Sequence, residues 1–206
     1  MRRFFLISLA GAVFLTACDD VKKPSDGNFR KAINQHLEKH GKACTWLGRP
    51  FPVDASEPEQ RLQSGTGAQM AVLEAAGLVH SSDTVAATPG IFGPGAPRRV
   101  KRYEPTEGGN KYLKQVPGVL SQSAGFCYGG KTVDSIVKWT EPVTMGVGSQ
   151  SEVTYTYKIA NLAPWAERPD VQREFGDIRT TVSGISKSNE IAGLQLTNQG
   201  WEVPSQ

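Results

Sequence analysis

The chain of 206 residues is 38% hydrophobic and 21% charged, which is the composition of a soluble globular protein and not of a disordered one. Its formal net charge of +3, from 23 Lys and Arg against 20 Asp and Glu, is too small to predict a nucleic-acid-binding surface. Three cysteines and three histidines supply few ligands for a transition-metal centre. We therefore expect no nucleic-acid partner and no cofactor.

The first 17 residues have the organisation of an export signal. Arg2 and Arg3 precede an apolar run over residues 4–15, which is shorter than the roughly 20 residues that a membrane-spanning helix needs. A basic segment followed by a short apolar stretch is typical of a secretory signal peptide. The sequence predicts a signal peptide over residues 1–17, and general secretion is favoured over twin-arginine export because two arginines suffice for any such signal.

The apolar run ends in the letters LTAC at positions 15–18, which resemble the lipobox of bacterial lipoproteins. In that family the chain is cleaved before the cysteine, whose thiol receives diacylglycerol and whose new amino group is often acylated, commonly with palmitate. The resemblance implies lipidation of Cys18 and anchoring to a membrane. Asp19 and Asp20 follow, and in enteric-type lipoproteins an Asp after the cysteine retains the protein at the inner membrane. The implied location is the periplasmic face of the inner membrane, with the outer membrane as the alternative.

Export also changes the interpretation of the other two cysteines. Disulfides form in the periplasm, and with Cys18 assigned to lipid, Cys44 and Cys127 are left to pair. Two inert buried thiols, or a reactive cysteine, are the alternatives. The sequence predicts one disulfide between Cys44 and Cys127.

Residues 18–28 are polar and contain proline and glycine, which predicts a lipid-anchored tether. Apolar residues then recur every three or four positions from Phe29 to Leu37, between Asn28 and Gly41. This spacing predicts an amphipathic helix that begins after Asn28 and ends at Gly41.

Two further segments suggest a fold for the first half. The letters LEAAGLV at 73–79 and YEPTEGGNKYL at 103–113 resemble the winged-helix domains of bacterial repressors, in which a helix ends in a Gly-Leu-Val turn and a two-stranded wing follows. The resemblance implies a winged-helix-like part over residues 29–115. DNA binding is not expected of it, because a periplasmic protein does not meet the genome.

A basic cluster lies on the predicted wing and consists of Arg98, Arg99, Lys101 and Arg102. Such a cluster could contact an anionic surface such as phospholipid headgroups. The alternative is a solvated strand edge whose charges prevent aggregation.

The second half, residues 116–206, is rich in predicted strands. Residues 132–140 and 151–162 form a predicted hairpin, residues 168–175 a short helix and residues 178–185 a further strand. The expected fold class is α+β, with a winged-helix-like helical N-terminal part followed by an antiparallel β-rich C-terminal part. Whether these parts are two domains or one continuous domain stays open.

Two sequence patterns resemble sites that carry chemistry. The letters GFCYGGKT at 125–132 match the Walker A expression, but the buried strand before it and the helix after it are not predicted. We therefore expect no nucleotide and interpret the glycines as a strand turn. His36 and His40 share a helix face, but Leu37 stands where a metalloprotease motif has Glu, so they are interpreted as surface histidines without a metal.

No sequence signature of catalysis is present, which favours a non-enzymatic protein. We expect a lipid-anchored periplasmic protein that binds another cell-envelope component, a protein being the expected partner. The alternative is a periplasmic hydrolase whose site is built from residues far apart in sequence. A deep polar pocket containing His36, His40 or a convergent pair of carboxylates favours the hydrolase, and a shallow surface favours binding.

Overall fold

The computed structural model describes residues 20–204 apart from 63, 91–92, 118–121, 145 and 147. The predicted signal peptide, Cys18 and Asp19 lie outside the described residues. Within the described ranges, no helix has the length and apolarity needed to cross a membrane.

The elements of the described chain, in order, begin with α1 (Asp26–His40), β1 (Lys42–Trp46), β2 (Val53–Ser56), α2 (Glu57–Arg61), α3 (Thr66–Ala75), β3 (Val79–Gly90), β4 (Gly93–Pro105), α4 (Glu107–Asn110) and β5 (Leu113–Pro117). They continue with β6 (Gln122–Trp139), β7 (Val143–Thr144), β8 (Ser149–Ala160), a 3₁₀ turn (Pro164–Glu167), α5 (Pro169–Glu174), α6 (Gly176–Ser183), β9 (Asn189–Thr197) and β10 (Gly200–Glu202).

A large antiparallel sheet has the strand order β1-β6-β8-β9-β10, with β5 paired to β6 and β7 paired to β8. It curls into a half-barrel, and α1 packs against one of its faces. The buried positions of α1 recur at three- and four-residue spacing, and they meet inward-facing residues of the alternating strand β8 and of its neighbours. The helix contributes Phe29, Ala32, Ile33 and Leu37, and the sheet contributes Val133, Val153, Tyr155, Tyr157, Leu194 and Trp201.

Polar side chains of α1 also complete an irregular part of β6. The register of β6 against β8 shifts between Val133 and Ser135, and a bulge leaves backbone groups without ladder partners. The Asn34 side chain accepts from the Val133 N–H at 2.8 Å, and Arg30 donates to the carbonyls of Val133 and Asp134 at 3.0 and 2.7 Å. These bonds satisfy buried backbone groups and fix the helix on the sheet.

A smaller sheet has the order β2-β4-β3. Strand β2 pairs only with Val100–Tyr103 of β4, whereas β3 follows β4 out to Gly90 and Gly93. The outer part of β3 and β4 is therefore a two-stranded ribbon. A core cluster joins this sheet to the large one, since Val79 of β3 and Phe126 of β6 both belong to it.

The predicted fold class is wrong. The winged-helix-like helical N-terminal part over residues 29–115 is not formed as such, because this stretch contributes β1 to β5 and the protein is mostly antiparallel β. Helix α1 packs on β6 and β10 of the large sheet. The apolar side of α1 covers aromatic residues of this sheet, and the Phe29 ring lies against the rings of Trp139 and Trp201.

Two other predictions have clear outcomes. The disulfide between Cys44 and Cys127 is confirmed, and it joins directly opposed positions of β1 and β6. The strand predicted at residues 178–185 is wrong, since this segment lies largely in helix α6. Ile178 is buried there and Val182, four residues later, packs against the same core, which is helical spacing.

Candidate functional site

An open groove of about 1160 Å³ lies between the C-terminal half of α1 and strands β6, β8 and β9. We call it the α1 groove. Its polar lining comes from four elements far apart in sequence, α1, β6, β8 and β9, and its apolar lining includes residues of α1 and of the sheet. The polar groups are His36, His40, Lys131, Tyr155 and Glu190, and the apolar ones include Ile33, Leu37, Val143, Ile191 and Leu194.

The end of α1 fixes one wall of the groove. The Gly41 N–H donates to the Leu37 carbonyl at 2.7 Å, and the Lys131 N–H donates to the Gly41 carbonyl at 2.7 Å. A Cβ at Gly41 would lie 2.6 Å from the carbonyl oxygen of Leu37 in the preceding turn of α1, so the tight turn by which the chain leaves the helix favours glycine. Lys131 on β6 is thereby held next to the helix terminus.

The Glu190 carboxylate, at the start of β9, connects the polar residues that the sheet contributes to the groove. Glu190 is directly opposite Tyr155 in the β8–β9 register, and the Tyr155 hydroxyl donates to Glu190 Oε2 at 3.0 Å. The other carboxylate oxygen, Oε1, is paired with the Lys131 ammonium. The same ammonium lies 4.4 Å from the centroid of the Tyr157 ring, a cation–π arrangement. The negative charge of Glu190 is therefore compensated inside the groove.

Burial and the charge of Glu190 raise the pKa of the Tyr155 phenol well above its ordinary value of 10.0. Burial, followed by the charge of Glu190, also raises the pKa of Tyr157. Both phenols are consequently neutral at any physiological pH. Tyr155 is therefore protonated and donates a hydrogen bond to Glu190.

The two predicted histidines both line the α1 groove. Their rings are 4.7 Å apart and inclined by 30°. Burial, and secondarily the neighbouring His40, lower the pKa of His36 below its ordinary 6.5, so His36 is a neutral imidazole at pH 7. Cys44 is taken up by the disulfide, and in the described part of the chain no three His, Cys, Asp or Glu side chains are grouped to hold a metal ion.

The four residues of the predicted basic cluster lie in two different environments. Arg102 forms two hydrogen bonds with the Asp54 carboxylate, at 2.7 and 2.8 Å, and Lys101 is opposite Asp83 in the β3–β4 register. Arg98 and Arg99 are exposed on the two-stranded ribbon. None of the four lines the α1 groove, and contact of this cluster with an anionic surface stays a prediction.

The Walker-like segment at residues 125–132 lies inside strand β6 and forms no turn between strands. A Cβ at Gly129 would lie 2.3 Å from Ile159 Cγ2 of the neighbouring strand, so glycine is needed there for close packing of β6 on β8. Of the two residues predicted to form a membrane-retention signal, only Asp20 lies among the described residues; it is exposed, and its Oδ1 accepts from the Lys22 N–H at 3.0 Å.

The groove also carries apolar side chains that face solvent. Ile191 is 64% exposed and Val143 is 59% exposed, and both lie along its rim. An exposed aliphatic side chain at the rim of a groove can be buried by a bound partner, which contributes to the free energy of binding. Comparisons with protein-family models, with curated proteins and with solved structures find no match for this chain.

Proposed function

We propose that this protein is a lipid-anchored, non-enzymatic periplasmic protein that binds another cell-envelope component in the α1 groove. The observation that carries the proposal is the composition of the groove, which is open, has paired charges inside, and has Ile191 and Val143 exposed at its rim. Burying one such aliphatic side chain on binding contributes about 1.5–3 kcal/mol.

The paired charges favour binding over reaction. The Glu190 carboxylate already accepts from Tyr155 and pairs with Lys131, so it is not free to take a proton from a substrate. A network of this kind holds neighbouring strands and side chains in place, which gives a partner a preformed surface.

Strand β9 indicates what kind of partner fits. Strand β10 pairs only with Gln195, Leu196 and Thr197, so among the described residues 189–194 of β9 are paired on the β8 side alone. Backbone groups on such an edge can accept an added strand. The exposed Ile191 lies in this part of the edge. The partner is therefore proposed to be an envelope protein that presents an extended segment to β9.

Lipid attachment at Cys18 is proposed from the lipobox resemblance, and the periplasmic face of the inner membrane from Asp19 and Asp20. The outer membrane is the alternative location. The disulfide between Cys44 and Cys127 supports export, because such bonds persist in oxidising compartments.

A periplasmic hydrolase is the second candidate, because His36 is a neutral imidazole in the groove and could accept a proton. Its ring lies beside that of His40, whereas a catalytic histidine is usually oriented by a carboxylate. Both predicted histidines do line the groove, which is the placement expected of a hydrolase, but the groove is open and not a deep pocket. Binding is therefore the better-supported function.

Site-specific photo-crosslinking in cells tests the groove. We expect p-benzoylphenylalanine at position 191 to give a covalent adduct with one envelope protein, because the partner covers this part of β9. Val137 is a matched control, since it is also an exposed aliphatic strand residue, at 49%, and lies outside the groove. The same substitution there should give no such adduct. Identical adducts from both positions, or none from position 191, would contradict the proposal.

A further inference from the structure

Residues 20–25, which belong to the segment predicted as a tether, are bound to the folded body. The Asn28 amide donates to the carbonyls of Asp20 and Lys23, both at 2.9 Å, and the Lys23 N–H donates to the Asp20 carbonyl at 2.9 Å. The indole of Trp201 donates to the Lys22 carbonyl at 3.1 Å. This segment is therefore a fixed part of the surface and not a free linker.

Val21 is held against the turn between β9 and β10. A Cβ at Gly200 would lie 3.0 Å from the Val21 carbonyl oxygen, and the φ of Gly200 is +120°, so both the close approach and the backbone conformation favour glycine there. The turn residues Asn198 and Gln199 are exposed. We call residues 20–23 together with the turn 198–199 the anchor end of the protein.

The anchor end begins very close to the proposed lipid site. Cys18 precedes Asp20 by two residues, and two residues of extended chain span at most about 7 Å. The headgroup layer on each side of a bilayer is itself about 5–8 Å thick. A lipid-modified Cys18 therefore keeps Asp20 at or next to the headgroup layer.

We propose that the anchor end rests directly on the phospholipid headgroups, so that the body is held in one orientation on the bilayer. This inference rests on the proposed lipidation of Cys18. The surface chemistry agrees with it, because Lys22 and Lys23 are exposed and can meet lipid phosphates. Val21 is 42% exposed and offers an apolar side chain to the interface.

The proposed orientation also determines where the α1 groove lies relative to the anchor end. Helix α1 starts at Asp26, beside the anchor end, and the helix ends at His40, roughly 21 Å further along its axis at 1.5 Å per residue. The histidine end of the groove thus lies at the end of α1 remote from the anchor. A partner bound there meets a surface held at a constant position relative to the membrane.

Photo-crosslinking to lipid tests this orientation. We would place p-benzoylphenylalanine at position 21, 199 or 187 of the full chain in native membranes and quantify phospholipid adducts by mass spectrometry. Lys187 is a matched exposed position at the other end of β9, which is about 26 Å long. We expect adducts from positions 21 and 199 to exceed those from position 187 by about tenfold, because only the first two lie within the effective reach of the anchor.

A spacer provides the second measurement. Twenty Gly and Ser residues inserted between Asp19 and Asp20 have a root-mean-square length of about 25 Å, and should reduce the adducts of positions 21 and 199 to the level of position 187 while the protein stays in membranes. The proposed orientation would be overturned if all three positions gave equal amounts of adduct. It would also be overturned if the spacer left unchanged the ratio of adducts at positions 21 and 199 to those at position 187. Membrane fractionation distinguishes this from failure of the anchor, since a parent chain that fractionates as soluble overturns the lipidation itself.

Discussion

Replacing both Cys44 and Cys127 with alanine is expected to lower the free energy of unfolding by up to about 4.5 kcal/mol, from the chain-entropy cost of the loop that the bridge closes. The two residues are separated by 83 positions, so the disulfide removes many conformations from the unfolded chain. Natural domains are stable by only about 5–15 kcal/mol, and the variant is therefore expected to lose a large share of its stability.

Urea unfolding of the oxidised protein and of the double variant measures this effect. The reduced parent chain is the control, and its unfolding midpoint should match that of the variant because both lack the same bond. A double variant within about 1 kcal/mol of the oxidised parent would contradict the loop-entropy account.

Phe29→Ala is expected to cost about 3–5 kcal/mol of stability. Phe29 is fully buried, and its ring packs edge-to-face on Trp139 and Trp201, with centroids 5.3 and 5.0 Å apart. Removing the ring leaves a cavity under the first turns of α1. Since α1 also forms a wall of the α1 groove, binding of the groove partner should weaken in parallel.

Lys31→Ala is the matched control for this prediction, because Lys31 lies in the same helix and is exposed. An exposed substitution of this kind usually changes stability by about 0.5 kcal/mol or less. Thermal unfolding should show a decrease in Tm on the order of 10 °C for Phe29→Ala and little change for Lys31→Ala. Similar Tm values for the two variants would mean that α1 is not anchored through Phe29.

Local sequence patterns predicted several elements well. The spacing of apolar residues from Phe29 to Leu37 gives the helix that is observed as Asp26–His40, although Ser25 rather than Asn28 caps its start. The alternation of β8 and its pairing with β6 follow the predicted hairpin. The Cys44–Cys127 pair was identified because export leaves those two cysteines available for a bond.

The fold class could not be predicted in the same way. Periodicity identifies a helix such as α1 but does not state which sheet its apolar stripe will cover. Strand β1 pairs with β6, whose Cys127 lies 83 residues beyond Cys44, and no local pattern encodes that pairing. Residues 178–185 are rich in β-branched residues, which favours a strand, whereas Ile178, Val182 and Ile185 have helical spacing. The structure follows the spacing, and Ile178 is buried in α6.

The residues of the α1 groove likewise fall into those that a local pattern identifies and those that only strand pairing brings together. His36 and His40 were recognised because they share one helix face. Lys131 and Glu190 are 59 residues apart, and Tyr155 meets Glu190 only through the β8–β9 register. Tyr155 lies in the predicted strand 151–162, but its acidic partner depends on the pairing of β8 with β9, which no local pattern predicts.

Mass spectrometry of the N-terminal peptide of the membrane-purified protein tests the central claim, that this is a lipid-anchored envelope protein, most directly. The account predicts a peptide that begins at Cys18 and carries diacylglycerol and an amide-linked acyl chain. It also predicts that Cys18→Ala moves the protein out of the membrane fraction. An unmodified Cys18 in a peptide that continues upstream of it, or a Cys18→Ala variant that still fractionates with membranes, would contradict the account.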